Sequence, residues 1–316
     1  MTIKYLFFCY NKEEGCENMK AVCVGHSTYD TTLPVNEYPT ENYKYRIENH
    51  IECGGGPASN GAYLLAKWGI DTTICSIVGD DYYGEKVKEE FEKIGANTKY
   101  LEKKQNHNTS SSFIIANMSN GSRTIITSKK DPIRKLTQTV EEKADLILID
   151  GEHPETAEEV LNNNKDALSV IDAGRLTEDT RHLGKKVKYL VCSKDFAEKF
   201  TNEKIDVKNI EKLTDIYKQL KAYFNNTVII TLEAAGSFTE INGECKIVPS
   251  VRVVAKDSTG AGDIFHGAIT YFLGQGYDLE KAIHYSSVTS AISVTRIGSR
   301  YSIPDLEEVM NYDELI

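Results

Sequence analysis

Asp257-Ser258-Thr259-Gly260-Ala261-Gly262-Asp263, followed by Ile264-Phe265-His266-Gly267-Ala268-Ile269, joins a turn of small residues to an apolar pattern of helical spacing through about Phe272. The first N–H groups of a helix have no intrahelical partner, and the helix dipole adds positive potential there. With no side chains at Gly260 and Gly262, those amides can close around an anion. A carboxylate at Asp263 would compete with a bound phosphate unless it has a task of its own. Accepting the proton of a hydroxyl that attacks the phosphate is such a task. The plainer alternative is a glycine-rich helix start with Asp263 as an ordinary first-turn acid. Both readings stay open at this point.

A second glycine run, Gly54-Gly55-Gly56-Pro57-Ala58-Ser59-Asn60-Gly61-Ala62, also opens a helix, with Pro57 suited to its first turn. Asn60 offers both a donor and an acceptor there, which suits recognition of hydroxyls. Around these runs, short apolar stretches at 21–25, 72–78, 146–150, 168–172, 189–192 and 228–232 alternate with helical patterns at 57–68, 84–94, 156–163 and 209–224. Strands that are apolar nearly throughout are covered by helices on both faces, and the alternation implies right-handed crossovers in a mostly parallel sheet. The fold class is α/β. Two segments break the rhythm. Residues 31–53 are polar with Pro34 and Pro39, and residues 109–128 read as a hairpin turning at Ser119-Asn120-Gly121-Ser122. They form either a lid over a crevice at the sheet's C-terminal edge or a surface hairpin without function. Asp30 and Asp150, each at a strand end, are candidate ligand-binding carboxylates or simple turn and cap residues.

Of 316 residues, 37 are Lys or Arg and 47 Asp or Glu, for a net charge of -10. That balance argues against broad binding to nucleic acid or anionic membranes, so neither is expected as a partner. The apolar run Tyr5-Leu6-Phe7-Phe8-Cys9-Tyr10 is too short for a signal-peptide core or a membrane span. The 7 cysteines form no Cys-x-x-Cys pair, which fits reduced thiols in a cytoplasmic protein. Three familiar motifs fail. Gly79–Lys86 has P-loop glycine spacing but Glu85 where Lys is required; Ser59 replaces the third glycine of a dinucleotide fingerprint; and no His-Glu-x-x-His occurs.

Taken together, the two glycine runs resemble the signatures of the ribokinase-like (PfkB) family of ATP-dependent carbohydrate and nucleoside kinases. Asp257–Phe265 is similar to that family's Asp-Thr-x-Gly-Ala-Gly-Asp-x-Phe, with Ser258 in place of Thr, and Gly55–Asn60 resembles its N-terminal signature. The likeness runs from about Met19 to Pro304, leaving residues 1–18 as an N-terminal extension and 19–316 as one kinase domain. It implies a three-layer sandwich, a mostly parallel sheet flanked by helices, with a small β-sheet lid at about 31–53 and 109–128. The resemblance also implies roles. Asp263 would be the catalytic base, with Gly260, Ala261 and Gly262 as the anion hole. Asp30, Gly56, Asn60, Asp150 and the lid residue Arg123 would meet substrate. Ser193, Thr231, Glu233, Gly236 and Gly260 would meet nucleotide. Asp257, Gly298 and Ser299 would border a monovalent-cation site for K+. ATP and Mg2+ are the implied cofactors, and a homodimer through the lid is a further expectation, since exposed sheet edges invite pairing.

The chain also departs from the family pattern. Ser193-Lys194-Asp195-Phe196 stands where many members carry Asn-x-x-Glu, so Asp195 or Glu233 would have to help with magnesium. That Ser-Lys-Asp, with Arg123, resembles ketohexokinase- and fructokinase-like members. The function expected is phosphoryl transfer from MgATP to a hydroxyl of a small sugar. A nucleoside acceptor, with Tyr29, Tyr38 and Tyr43 as a wall for the base, and a non-catalytic sensor on the same scaffold are the competing expectations.

Overall fold

A computed structural model of the protein describes residues 19–129 and 133–312. The extension expected over 1–18, with its apolar run and two of the cysteines, lies outside the described residues. β1 (Lys20–Val24) is followed by β2 (Thr28–Val35), β3 (Ile51–Gly55), α1 (Pro57–Lys67), β4 (Asp71–Gly79), α2 (Tyr82–Lys93) and β5 (Asn97–Lys104). Next come β6 (Ser110–Asn117), β7 (Ser122–Ser128), β8 (Leu146–Ile149), α3 (Pro154–Asn163), β9 (Leu168–Ala173), α4 (Glu178–Leu183) and β10 (Tyr189–Ser193). The chain ends with α5 (Lys194–Thr201), α6 (Ile210–Phe224), β11 (Thr227–Thr231), β12 (Ser237–Ile241), β13 (Glu244–Val248), α7 (Ala261–Gly274), α8 (Leu279–Val294) and α9 (Leu306–Met310).

The central sheet has the order β13-β12-β11-β10-β9-β8-β1-β4-β5. Its strands are parallel from β5 through β11, and β12 and β13 close one edge antiparallel. Leu146-Ile147-Leu148-Ile149 of β8 is buried along its whole length, because one face meets α1 and α7 while Ile147 and Ile149 on the other belong to the core that also holds Ala157, Val160 and Leu161 of α3. Each of the six apolar runs became a sheet strand.

The interrupted segments form a second sheet of order β3-β2-β6-β7. β2 pairs parallel with β6, while β3 and β7 flank them antiparallel. Exposed Phe113, Ile125 and Ile126 lie on its β6–β7 half, and β7 is a free edge among the described residues. Tyr29 and Asp30 alternate on β2. The Tyr29 ring turns into the core and stacks on Tyr83 with centroids 5.3 Å apart. It therefore offers no face to a nucleoside base, whereas Tyr38 and Tyr43 are exposed. No helix among the described residues is long and apolar enough to cross a membrane.

Candidate active site

The turn before α7 is built as its small residues require. Gly260 is the N-cap with φ 75°, and a Cβ there would lie 2.9 Å from Ser299 Cβ and 3.5 Å from Asn60 Nδ2. Only glycine fits that conformation and that gap. At Gly262 a Cβ would meet nothing within 4 Å, so the mouth of the helix is open on that side. Backbone amides of α7's first turn therefore face a space an anion can enter.

Asp263 stands in that first turn and accepts a hydrogen bond from Asn60 Nδ2 at 2.7 Å. Asn60 itself is fixed in α1, whose N-cap Gly56 has φ 99° and approaches His26 so closely that a Cβ would fall 2.2 Å from its carbonyl oxygen. Asn60 Oδ1 is buried and has no partner, so it is free to accept a hydrogen bond from a hydroxyl. Burial pushes the Asp263 carboxyl up to about 7, with the Asp172 carboxylate adding to the rise and Asn60, His266 and Arg123 opposing it. That range suits a group that must take a proton near neutral pH. The α1–α7 crossing brings these residues together: Gly61 and Gly267 meet there, and a Cβ on Gly267 would sit 2.8 Å from Gly61 Cα.

Asp30 is 6% exposed and accepts from Thr28 Oγ1 at 3.0 Å. Burial raises its carboxyl above the usual range, against hydrogen bonds from Ser112 and Thr28. Its carboxylate overlies Gly55, where a Cβ would lie 2.1 Å from Oδ2, so the lid strand and the α1 turn share this acid. Asp150 is engaged otherwise. Its Oδ2 accepts from the amides of His26 and Ala58, at 2.9 and 3.0 Å, and its Oδ1 from Glu152 N at 2.9 Å. It ties the ends of β1 and β8 to the start of α1, and burial pushes it up to about 6.

Arg123 reaches from β7 to Ser258 Oγ at 2.7 Å, and Ser258 Oγ donates to Gly121 O at 3.0 Å. The Ser that replaces the usual Thr therefore tethers the β6–β7 hairpin to the turn before α7. Asp257 is buried; its Oδ1 accepts from Thr259 N and Oγ1, at 2.9 and 2.6 Å, and its Oδ2 from Gly298 N at 3.0 Å. Ser299 Oγ lies 3.3 Å from Gly54 O. Asp257, Gly298 and Ser299 thus join the C-terminal loop to both glycine turns.

Ser193 and Thr231 are register partners at the ends of β10 and β11. Ser193 Oγ accepts from Phe196 N as the cap of α5 and donates to Gly174 O, both at 3.0 Å. Glu233, with φ 54°, is exposed in the turn that Gly236 closes. Phe196 is wholly buried, and Asp195 pairs with Lys199 at 2.8 Å. Among the described residues, no group of three or more His, Cys, Asp and Glu side chains converges to hold a metal.

Two residues next to this site escaped the sequence reading. His266 Nδ1 lies 3.0 Å from Asp172 Oδ2 and 2.6 Å from Gly262 O, while Nε2 lies 3.1 Å from Val191 O. Asp172 ends an apolar run and His266 fits an apolar helical face, so their pairing across β9 and α7 was visible only in three dimensions.

Comparison with known proteins gives the family of the chain. The chain is 26% identical over 279 residues to a ribokinase of Haemophilus influenzae, covering 84% of this chain and 89% of that one. It is 25% identical over 304 residues to a deoxyribokinase of Salmonella typhimurium, covering 93% and 98%. Its fold superposes on an Arabidopsis thaliana ribokinase complexed with ribose and ATP with a TM-score of 0.74, at 20% identity, covering 93% and 98%. Residues 18–306 match the pfkB family carbohydrate kinase pattern. With its mostly parallel sheet, flanking helices and small second sheet, the chain belongs to the pfkB family of carbohydrate kinases, enzymes that transfer phosphate to a hydroxyl.

Proposed function

We propose that the protein phosphorylates a small sugar from MgATP, with Asp263 as the base that deprotonates the acceptor hydroxyl. The observation that carries this reading is the contact between Asn60 and Asp263 at the mouth of α7, with Asn60 Oδ1 left unpartnered. Asn60 and Asp30 hold the sugar so that one hydroxyl lies against Asp263. Asp263 takes that hydroxyl's proton as the oxygen bonds to the γ-phosphorus of ATP, while the bond from that phosphorus to the bridging oxygen breaks and ADP leaves. The amides of Gly260, Ala261 and Gly262 face the charge that grows on the phosphoryl oxygens, a contribution of about 3–4 kcal/mol per well-placed donor. Arg123, held by Ser258, adds positive charge and keeps the lid down, which excludes water. Asp150 acts on substrate indirectly in this reading, by fixing the start of α1.

The nucleotide lies along Ser193, Thr231, Glu233 and Gly236. Magnesium would arrive with the nucleotide and offset the charge of its phosphates, and Glu233, the exposed carboxylate of that loop, would be the side chain to help hold it. A potassium ion beside Asp257, Gly298 and Ser299 would share oxygens that already accept bonds from Thr259 and Gly298. Replacing K+ by tetramethylammonium tests that site, since a bound ion predicts lost turnover.

Ribokinase and deoxyribokinase among the relatives favour a pentose acceptor. A ketohexose is the second candidate, because Arg123 reaches the anion-hole turn from the lid. A thermal-shift panel of pentoses, ketohexoses, aldohexoses, sugar phosphates and nucleosides, followed by ADP release, separates these. Stabilisation and turnover with nucleosides alone would overturn the sugar reading. The reading includes a cytoplasmic location, where ATP is available, and a homodimer formed through the free β7 edge and its exposed isoleucines. Sedimentation as a monomer at micromolar concentration would refute the dimer.

A further inference from the structure

His266 and Asp172 are buried beneath the mouth of α7, with 4% and 5% exposure. Every polar neighbour of the His266 ring is an oxygen that accepts. Nδ1 faces the Gly262 carbonyl and the Asp172 carboxylate, and Nε2 faces the carbonyl of Val191. A neutral imidazole would turn a lone pair toward one of these oxygens, so the geometry requires a proton on both nitrogens. Asp172 is held in turn by Gly174 N, bonded to Oδ1 at 3.0 Å, and is the register partner of Val191. The ring therefore clamps the first turn of α7 to the β9–β10 pair with a fixed positive charge.

We propose that Asp172 and His266 are positioning residues for the transfer reaction: their ion pair holds the Gly262 carbonyl and thereby the anion-hole turn, and sets two opposite charges beneath Asp263. This rests on Asp263 acting as the base. The charged groups facing Asp263 are Asp172 from β9, His266 from its own helix and Arg123 from β7; Asn60 from α1 is its neutral partner. Burial alone would lower His266, but the Asp172 carboxylate and the two carbonyls outweigh burial and push it up to about 9.

The first test reads the His266 ring directly by nitrogen NMR of the wild-type protein, which needs no turnover. It should report imidazolium at pH 7.5 and titrate only in the alkaline range; a neutral tautomer at pH 7.5 overturns the proposal. The second test compares the pH dependence of kcat/KM in His266→Asn and Asp172→Asn. His266→Asn keeps a donor toward Gly262 but leaves Asp172 uncompensated, so the acidic limb should move up by about one pH unit. Asp172→Asn removes the repulsive charge, so that limb should move down. The double variant, a neutral hydrogen-bonded pair, should fold and keep its limb between the two. Reduced kcat with an unmoved limb in both single variants would make the pair merely structural and refute the proposal. If the protein turns over no sugar at all, the kinase reading fails by that result, while the NMR result still decides whether the charged clamp exists.

Discussion

The Gly61–Gly267 crossing makes a single methyl group a sharp test of the site. In Gly267→Ala the new Cβ would lie 2.8 Å from Gly61 Cα and 3.2 Å from Gly61 O. Carbon atoms in contact prefer about 3.5–4.0 Å, so α1 and α7 must separate by roughly 0.7–1.2 Å. Gly61 cannot yield sideways, since a Cβ there would already lie 2.2 Å from Leu148 Cδ2. Asn60 adjoins the crossing on α1, and Asp263 lies one turn from it on α7. Their hydrogen bond of 2.7 Å would therefore lengthen to about 3.5 Å, where it is nearly lost. Overpacking costs about 1–3 kcal/mol and the alanine returns about 1 kcal/mol of helix propensity, so Tm should fall by no more than about 4 °C. A displacement near 1 Å at the reacting groups can cost about 100-fold in rate. The assay is ADP release with the sugar that gives turnover, beside a thermal melt. Gly274→Ala is the control: it crowds the flexible end of Leu146 at 2.7 Å on the same helix, away from the crossing, and should keep its kcat. If Gly267→Ala turns over within threefold of wild type with the Asn60–Asp263 contact intact, the crossing does not position the base.

Asp263→Asn should lower kcat by at least about 100-fold while sugar and nucleotide still bind. Because burial raises this acid in the folded protein, the native state binds the extra proton between about pH 4 and 7, and wild-type stability falls as pH rises through that window. The same variant should therefore be more stable than wild type at pH 8, by about 2–4 kcal/mol, and equal to it near pH 4; equal melts at both pH values would refute the buried, proton-holding carboxyl. Arg300 is fully buried, bonded to Glu90 Oε2 at 2.7 Å and Ser59 Oγ at 2.6 Å, so Arg300→Leu should cost about 3–5 kcal/mol in chemical denaturation by leaving Glu90 unpaired. Arg300→Leu with Glu90→Leu should recover part of that loss, and no recovery would exclude a paired-charge origin. Ser258→Ala should raise KM for the sugar about 3–10-fold with a smaller change in kcat. Adding Arg123→Met should change little more, and additive effects would show that the two do not act as one tether.

The elements that were legible in the sequence are those buried on both faces. β8 is apolar at every position and β11 at Val228, Ile229 and Ile230, because helices cover both faces, and that pattern needs no partner to be recognised. β5, Asn97-Thr98-Lys99-Tyr100-Leu101-Glu102-Lys103-Lys104, sits at the sheet's edge with only Tyr100, Leu101 and Glu102 buried and polar residues on either side, and went unread. β12 and β13 went unread as well, although Asn242 and Gly243, with φ of 53° and 85°, supply the dipeptide that favours a tight hairpin. α8 is buried on several sides, so its Ser and Thr residues bond to carbonyls of the preceding turn and blur the apolar stripe.

For the site, the division runs between residues that shape backbone and residues that meet across the fold. Gly260 and Gly56 announced themselves because a left-handed or crowded backbone leaves glycine as the fitting choice, and a helix start leaves its amides open whatever surrounds it. Asp150 shows the converse. A carboxylate at a strand end looks like a ligand group in sequence, yet its oxygens meet the amides of His26, Ala58 and Glu152, two of them more than ninety residues away in the chain. Asp172 and His266 illustrate the same rule from the other side, since neither carries a local signal. Their partners lie on β9, β10 and α7, brought together only by the order of the sheet. A chemical role that depends on one turn can be read from one motif. The proton affinity of Asp263, by contrast, is set first by burial and then by charges on three separate elements, and only the folded arrangement fixes it.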